Sequence, residues 1–398
     1  MTFSMPQPAD VAIYVHIPYC LQRCRYCDFT TFEWNQILPP EEYVNLVREE
    51  IRRRHAHIPG RDLTSIYFGG GTPSLLSAEL IVAILEELAN AGFRKRTDTE
   101  ITIEINPATV SVEKLDRYIE AGINRFSVGA QTFSDDLLTL CGRRHTADDT
   151  RKTLDLLASR GLNYSFDLLF ALPGQTLEQL EADLAEVLRY SPPHLSAYCL
   201  TVPEGHPMST GRPLEDVQVA MFERIEERLA GGEILKYEIS NFAKKGFESR
   251  HNLVYWTDLP YWGLGLSAHS YLPGAGKWGT RFWNPKSIPE YKTQVKMEDF
   301  PPPQNERLAL HESLTDFCHM HLRVMAGLPL SALRNKFGPE LSNQVMLRLR
   351  RLESDGLVEI SPFSARLTHR GQMISNVVFA ELLFAAVELY PKASTSLK

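Results

Sequence analysis

The sequence predicts an α/β protein: a parallel sheet curling toward a partial (β/α)6 barrel, followed by a smaller, mixed and mainly helical C-terminal domain. Two observations carry this. Between Val11 and Val202, short apolar or β-branched segments alternate with helix-period stretches, the rhythm of βα units. After Val202 the rhythm stops, and from Arg307 onward the pattern is mostly helical.

The strand candidates are Val11–Ile17, Ser65–Phe68, Glu100–Ile105, Arg125–Val128, Tyr164–Phe170 and His194–Thr201. Each fits a strand buried on one or both faces. Between them lie the helical stretches Glu41–Arg54, Ala78–Ala91, Val112–Glu120, Ala147–Ser159 and Leu177–Arg189. Ser77 and Thr176 stand where N-caps belong, each with a glutamate in the following turn. Functional residues of such a fold collect at the strand C-termini. These units occupy residues 1–202. Residues 203–298 read as a barrel extension: a Pro/Gly loop over Pro203–Pro213, a helix near Val217–Leu229, a strand near Leu235–Ile239, and an aromatic, glycine-rich run from His251 to Trp283. Residues 299–305, with three consecutive prolines, read as a linker. In residues 306–398 a helix at Val345–Ser354, closed by Gly356, precedes strand-like Leu357–Ile360 and Arg366–Thr368, a winged-helix-like unit. The apolar segment Val377–Tyr390 is interrupted by Glu381 and Glu388, too short to span a bilayer, and reads as a docked core helix.

Composition narrows the function classes. The 398 residues carry a net charge of −7, which argues against a general nucleic-acid binder. Met1–Val11 lacks a basic segment followed by an apolar stretch, so no secretory signal and no transmembrane segment are expected, and the protein is placed in the cytoplasm. There the six cysteines stay reduced, and the close group Cys20, Cys24 and Cys27 points to metal rather than to disulfides.

That group lies in H-I-P-Y-C-L-Q-R-C-R-Y-C-D-F, directly after the first strand. Structural zinc sites and ordinary [4Fe–4S] clusters take four ligands, whereas three leave one iron open. Zinc bound with Asp28 or His16 is the alternative, although C-x3-C-x2-C is not a usual zinc spacing. Covalent haem attachment would need a histidine where Asp28 stands. Other strand ends carry Gly69, Gly70, Gly71 and Thr72, then Glu104, Gln131 and Asp167, with Arg143 in G-R-R-H. Glycines let a ligand approach the backbone, and an isolated carboxylate among apolar residues needs a partner. The plain alternative is a buried polar network knitting the strand ends. In H-N-L-V-Y-W, His251 offers an imidazole to iron while Tyr255 and Trp256 offer flat aromatic surface. The bland reading is a loop of satisfied polar groups and core aromatics. His269 is the second choice of ligand.

The spacing C-x3-C-x2-C, with an aromatic before the last cysteine, resembles the radical-SAM superfamily signature. Y-x-H-I-P-x-C, G-G-G-T-P, I-E-I-N-P, G-A-Q-T-F, C-G-R-R-H and F-D-L-L-F-A-L-P-G follow in order. From about Ala12 to beyond Phe379 the chain looks like the oxygen-independent coproporphyrinogen oxidases and their relatives, the HemW-type haem chaperones. The resemblance implies a radical-SAM barrel with a [4Fe–4S] cluster on Cys20, Cys24 and Cys27. Its open iron would chelate S-adenosylmethionine, which one electron from a reductant cleaves to a 5′-deoxyadenosyl radical. By the same similarity, S-adenosylmethionine contacts fall on Tyr14, Gly70, Gly71, Thr72, Glu104, Gln131, Arg143 and Asp167. Two departures imply the chaperone branch. Phe29 stands where the decarboxylating enzymes have a further cysteine, and H-N-L-V-Y-W is present. That branch implies haem held by His251, Tyr255 and Trp256 and delivered to client haem proteins, respiratory and membrane-associated ones among them, with no catalytic residue assigned. The competing reading is oxidative decarboxylation of porphyrinogen propionates. A zinc-stabilised interaction protein is third.

Overall fold

The computed structural model describes residues 10–386. Most of the N-terminal segment read for targeting, and the last part of the expected apolar helix from residue 387 on, lie outside the described residues.

Six parallel strands follow one another in chain order: β1 (Asp10–Ile17), β2 (Asp62–Gly70), β3 (Arg94–Ile105), β4 (Arg125–Gln131), β5 (Tyr164–Phe170) and β6 (His194–Cys199). Each is preceded or followed by a covering helix: α1 (Pro40–Arg54), α2 (Ala78–Asn90), α3 (Val112–Glu120), α4 (Asp135–Leu140), α5 (Ala147–Ser159) and α6 (Leu177–Tyr190). The strands are two-faced. Val11, Ile13, Val15 and Ile17, with Ile66, Phe68, Ile101, Ile103, Phe126, Val128 and Phe166, are buried in one apolar core with the helices. The alternate positions are polar: Tyr14 and His16, Ser65 and Tyr67, Glu100, Thr102 and Glu104, Arg125 and Ser127, Ser165 and Asp167, Ser196 and Tyr198. Because side chains alternate across a strand, these residues share the lumen face. The registers agree, pairing Tyr14 with Tyr67, Tyr67 with Thr102, Glu104 with Ser127 and Asp167 with Ser196.

The sheet is larger than the six strands expected. It has twelve, because β9 (Tyr261–Leu264) adds in parallel beside β1 and leads to the antiparallel β10 (His269–Leu272), β11 (Thr280–Trp283) and β12 (Asn305–Arg307). At the opposite edge, β8 (Asn241–Ala243) runs antiparallel to β6, and β7 (Leu235–Lys236) runs antiparallel to β8. These additions are two to four residues long, below the length at which periodicity is visible. The last of them begins inside the presumed linker, and the helices α7 (Glu215–Ala230) and α9 (Ile288–Val295) lie among these additions.

Two helix starts show how local chemistry fixes the frame. Thr176 closes a capping box with Gln179 at the start of α6, and Thr146 does so with Asp149 at α5, so orphan N–H groups are satisfied at both ends of a reciprocal pair. Ser77 precedes α2 without a side-chain cap bond. The C-terminal region has its own apolar core, built from Leu314, Phe317, Val345, Leu349, Val358 and Val378 among others. It comprises α10 (Leu310–Arg323), α11 (Leu330–Ser354, kinked at Gly338) and a small sheet of β13 (Leu328–Pro329), β14 (Val358–Ile360) and β15 (Ser364–Leu367).

One buried carboxylate connects a covering helix to the strand ends. Asp183 of α6, 1% exposed, accepts hydrogen bonds from the Thr132 hydroxyl at 2.9 Å and the Phe133 N–H at 2.7 Å. It thereby pins the turn directly after Gln131, whose φ of 66° lies in the left-handed region. Asp183→Ala leaves those donors unmatched and is expected to cost about 2 kcal/mol. Urea denaturation should show a lower midpoint with an unchanged slope.

Candidate functional site

The site begins with two loops locked together through their backbones. Ile17 at the end of β1 pairs with Gly70 at the end of β2. One residue further, the Gly71 N–H donates to the Ile17 carbonyl at 2.8 Å and the Thr72 N–H to the Tyr19 carbonyl at 2.7 Å. This approach requires missing side chains. A Cβ on Gly71 would lie 2.5 Å from the Tyr19 carbonyl oxygen, and one on Gly70, whose φ is +116°, would lie 2.5 Å from the His16 ring.

The cysteine loop is then closed at its base. Tyr19–Cys20 pairs with Phe32–Glu33, the Phe32 N–H reaches the Pro18 carbonyl at 2.8 Å, and the Trp34 N–H reaches Cys20 at 2.9 Å. Within the loop the Cys27 N–H donates to the Cys24 carbonyl, Arg25 N–H to Cys141, and the Arg23 guanidinium to the Cys27 carbonyl at 3.1 Å. His16 adds a tie, Nε2 to the Thr30 carbonyl at 2.9 Å. Burial pushes the Cys20 thiol up to about 11, and the nearby sulfurs of Cys27 and Cys24 push the same way. Burial also raises Cys24, against the opposing charge of Arg143. The Cys20 and Cys24 sulfurs therefore both sense the Cys27 sulfur beside them.

Among the described residues, no three His, Cys, Asp or Glu side chains converge closely enough to hold a single metal ion. A cubane makes a different demand, since each thiolate binds a separate iron and the triangle of ligands is wider. The donor set fits that group. Phe29, at the position where a fourth cysteine would sit, is 63% exposed. Cys141 is fully buried in a separate apolar cluster with Leu137, Leu172 and Met208.

The sequence-predicted strand-end residues come together around this loop. The Glu104 carboxylate accepts from the Tyr67 hydroxyl at 2.9 Å and the Gly70 N–H at 3.0 Å. Burial and the neighbouring Asp167 raise its pKa to about 7, and burial raises Asp167 to about 6. Arg143 donates to the Tyr26 hydroxyl at 2.8 Å, lies over the Tyr26 ring, and leaves its buried Nε without a partner. Gln131 and Arg143 flank Gly129, where a Cβ would lie 3.2 Å from Gln131 Nε2 and 3.3 Å from an Arg143 nitrogen. The Tyr14 hydroxyl bonds His16 Nδ1 at 3.0 Å, and its ring stacks on Tyr67 at 6.3 Å. Two buried carboxylates facing one guanidinium make a lumen that accepts a ligand carrying both positive groups and a carboxylate. Beside Cys24 a cavity of about 160 Å³ opens between Asn106, Arg143 and His145.

The H-N-L-V-Y-W segment is a helix and not a loop, with the His251 ring nitrogens both hydrogen-bonded. It forms a short helix, α8 (Arg250–Trp256), capped by the Ser249 hydroxyl, and closes the floor of the lumen. His251 is 2% exposed; Nδ1 meets the Ser65 hydroxyl at 2.8 Å and Nε2 the Tyr255 hydroxyl at 2.9 Å. Its ring stacks on Tyr67 at 5.0 Å, and burial holds its pKa down at about 3. The imidazole is thus neutral with both nitrogens engaged, and ligating iron requires it to leave Tyr255 or Ser65. Tyr255 packs edge-on against Tyr261, and Trp256 lies under the Arg323 guanidinium of α10 rather than on an open face. Sequence reasoning missed Tyr67, Tyr26 and the positioning role of His16. Tyr67 was findable, since it shares the parity of Ser65 on the strand that ends in the glycine run.

A model of the Radical SAM superfamily matches residues 14–187, and one of the HemN C-terminal domain matches residues 308–374. The "Heme chaperone HemW" of Bacillus subtilis is 35% identical over 379 residues, covering 93% of this chain and 98% of that protein. The chain belongs to the HemW family. The protein of the same name from Lactococcus lactis is 30% identical over 93% of this chain and 96% of its own length. The crystal structure of coproporphyrinogen III oxidase, HemN, from Escherichia coli superposes with a TM-score of 0.81 at 21% identity, covering 95% of this chain and 91% of that one, which establishes the shared fold. Membership of the radical SAM superfamily implies a [4Fe–4S] cluster and S-adenosylmethionine for this HemW-family chain. No helix among its described residues is long and apolar enough to cross a membrane.

Two outcomes follow from the geometry. Gly71→Ala forces the two loops apart and should abolish iron and sulfide retention after anaerobic reconstitution, while far-UV circular dichroism stays near wild type. Glu104 holds its proton in the folded state up to about pH 7 but releases it near 4.5 when unfolded, so its contribution to stability is lost as pH rises between those values. Glu104→Gln should therefore raise the melting temperature of cofactor-free protein at pH 8 and change it little at pH 5; an equal shift at both would refute the buried-charge account.

Proposed function

We propose that this protein is a haem chaperone, binding haem and passing it to client haem proteins, and that Cys20, Cys24 and Cys27 hold the cluster. The observation that carries the reading is the match to the B. subtilis HemW across 98% of its length. The exposed Phe29 supports it, because no fourth cysteine stands there. When bound, the cluster supplies an open iron and a source of one electron for S-adenosylmethionine, with a separate one-electron reductant to recharge it.

The chain's own residues then have distinct tasks. Gly70, Gly71 and Thr72 present backbone close to the cysteine loop. Glu104 and Asp167, held partly protonated by burial, give up their protons to face the positive groups of S-adenosylmethionine. Arg143 offers its free Nε to the carboxylate, Gln131 a nearby amide, and Tyr14 an aromatic wall. His251 is a concealed haem ligand, exposed only when α8 moves from the floor, with Tyr255 and Trp256 moving alongside it. A cytoplasmic location and membrane-associated respiratory clients complete the proposal.

A second reading, oxidative decarboxylation of porphyrinogen propionates, has one observation in its favour, the fold shared with HemN. Anaerobic incubation of reconstituted protein with coproporphyrinogen III, S-adenosylmethionine and dithionite should leave the propionates intact. Haem added to the same preparation should give a Soret band. Stoichiometric vinyl formation would replace the chaperone reading with the enzymatic one.

A further inference from the structure

We propose that haem docks on His269 and Trp283, at the lumen-facing edge of the sheet beyond β1; the inference rests on the haem-chaperone reading and names a site for it. The argument starts from register. Tyr14 of β1 pairs with Gly263 of β9, and His269 of β10 pairs with Trp283 of β11. Strands β9 and β10 pair antiparallel at Tyr261 and Tyr271, and further along the hairpin the His269 backbone closes on Gly263, where a Cβ would lie 2.2 Å from its carbonyl oxygen. Residues paired across a sheet project from the same face. Tyr67, Tyr14 and Gly263 therefore form one row on the lumen face, and beyond Gly263, whose missing side chain leaves room for the His269 backbone, the paired His269 and Trp283 end it.

Within this row His269 has what His251 lacks. It is exposed, and neither ring nitrogen makes a hydrogen bond to a described residue. Its ring is held from one side only, by a stack on Trp283 with centroids 5.6 Å apart and an interplanar angle of 19°. Two cations stand nearby. Arg281 is committed to Glu306 and Asp316, but Lys286 is exposed and enters no ion pair among the described residues. Burial, Lys286 and Arg281 all lower the His269 pKa, which favours the neutral, ligating imidazole. An open imidazole, the flat ring of Trp283 and an uncommitted ammonium group match the three parts of haem: its iron, its flat macrocycle and its propionates. Haem on His269 and Trp283 needs no opening of the floor.

The test is a ferric haem titration of full-length, anaerobically reconstituted protein, read by the Soret band and by quenching of tryptophan fluorescence. His269→Ala should weaken binding about tenfold or more and shift the Soret maximum, with added imidazole restoring the wild-type band. Lys286→Ala should weaken haem by a few fold yet leave haem dimethyl ester, which lacks free propionates, unaffected. Wild-type affinity and an unchanged Soret band in His269→Ala would overturn the site while leaving the chaperone reading standing. Absence of any Soret change in the wild type would overturn the chaperone reading itself.

Discussion

The whole site depends on one close backbone approach, the seating of the glycine loop after β2 on the cysteine loop after β1. Two N–H···O bonds, from Gly71 to Ile17 and from Thr72 to Tyr19, hold it, and the space exists because Gly70 and Gly71 carry no side chain. A loop bearing three thiols is otherwise costly to order, at roughly 1–2 kcal/mol of backbone entropy per residue. Here that cost is met by ties at its base and flank, through Pro18, Cys20, Thr30 and Cys141, before any metal binds. The cofactor therefore meets thiols already gathered on an ordered loop.

From this contact the electrostatics of the lumen follow. Every strand turns its apolar residues to the helices and its polar residues inward, so charge is concentrated in a space with little water. Glu104 and Asp167 sit there above their ordinary pKa values, and the Arg143 charge acts on both and on Cys24. Each pKa unit of such a shift stores about 1.4 kcal/mol. A ligand bearing positive charge relieves it, whereas an apolar one does not. The floor is different in kind. His251, Ser65 and Tyr255 form a neutral, fully bonded plug, while Glu100 accepts from the backbone of α8 and Arg125 stands beside it.

Much of this was legible from the residues. The βα rhythm gave α3 and α5 with their observed bounds, and the order of the six parallel strands. The three cysteines were visible by their spacing, Glu104 and Gln131 by standing at strand ends, Asp167 as a carboxylate among apolar residues, and Arg143 as a positive charge available to a carboxylate. The strand expected near Leu235–Ile239 is present as β7, but β8 and β10–β12 were not legible, because segments so short carry no period. α8 was misread as a loop for a similar reason, being only seven residues long. Yet Ser249 as its cap, and the i,i+4 spacing of His251 and Tyr255, carried the signal. The row that includes His269 and Trp283 was hidden more deeply, since it exists only through the register of strands far apart in sequence.

The central claim is that three cysteines hold a cubane and leave one iron for the cofactor. Mössbauer spectroscopy of protein reconstituted with ⁵⁷Fe tests it most directly, recorded with and without S-adenosylmethionine. The account predicts that one iron site of the cubane changes its isomer shift and quadrupole splitting when S-adenosylmethionine is added, while the others hold. A spectrum in which all sites are thiolate-ligated and indifferent to S-adenosylmethionine, or in which no cluster signal is present, would contradict it.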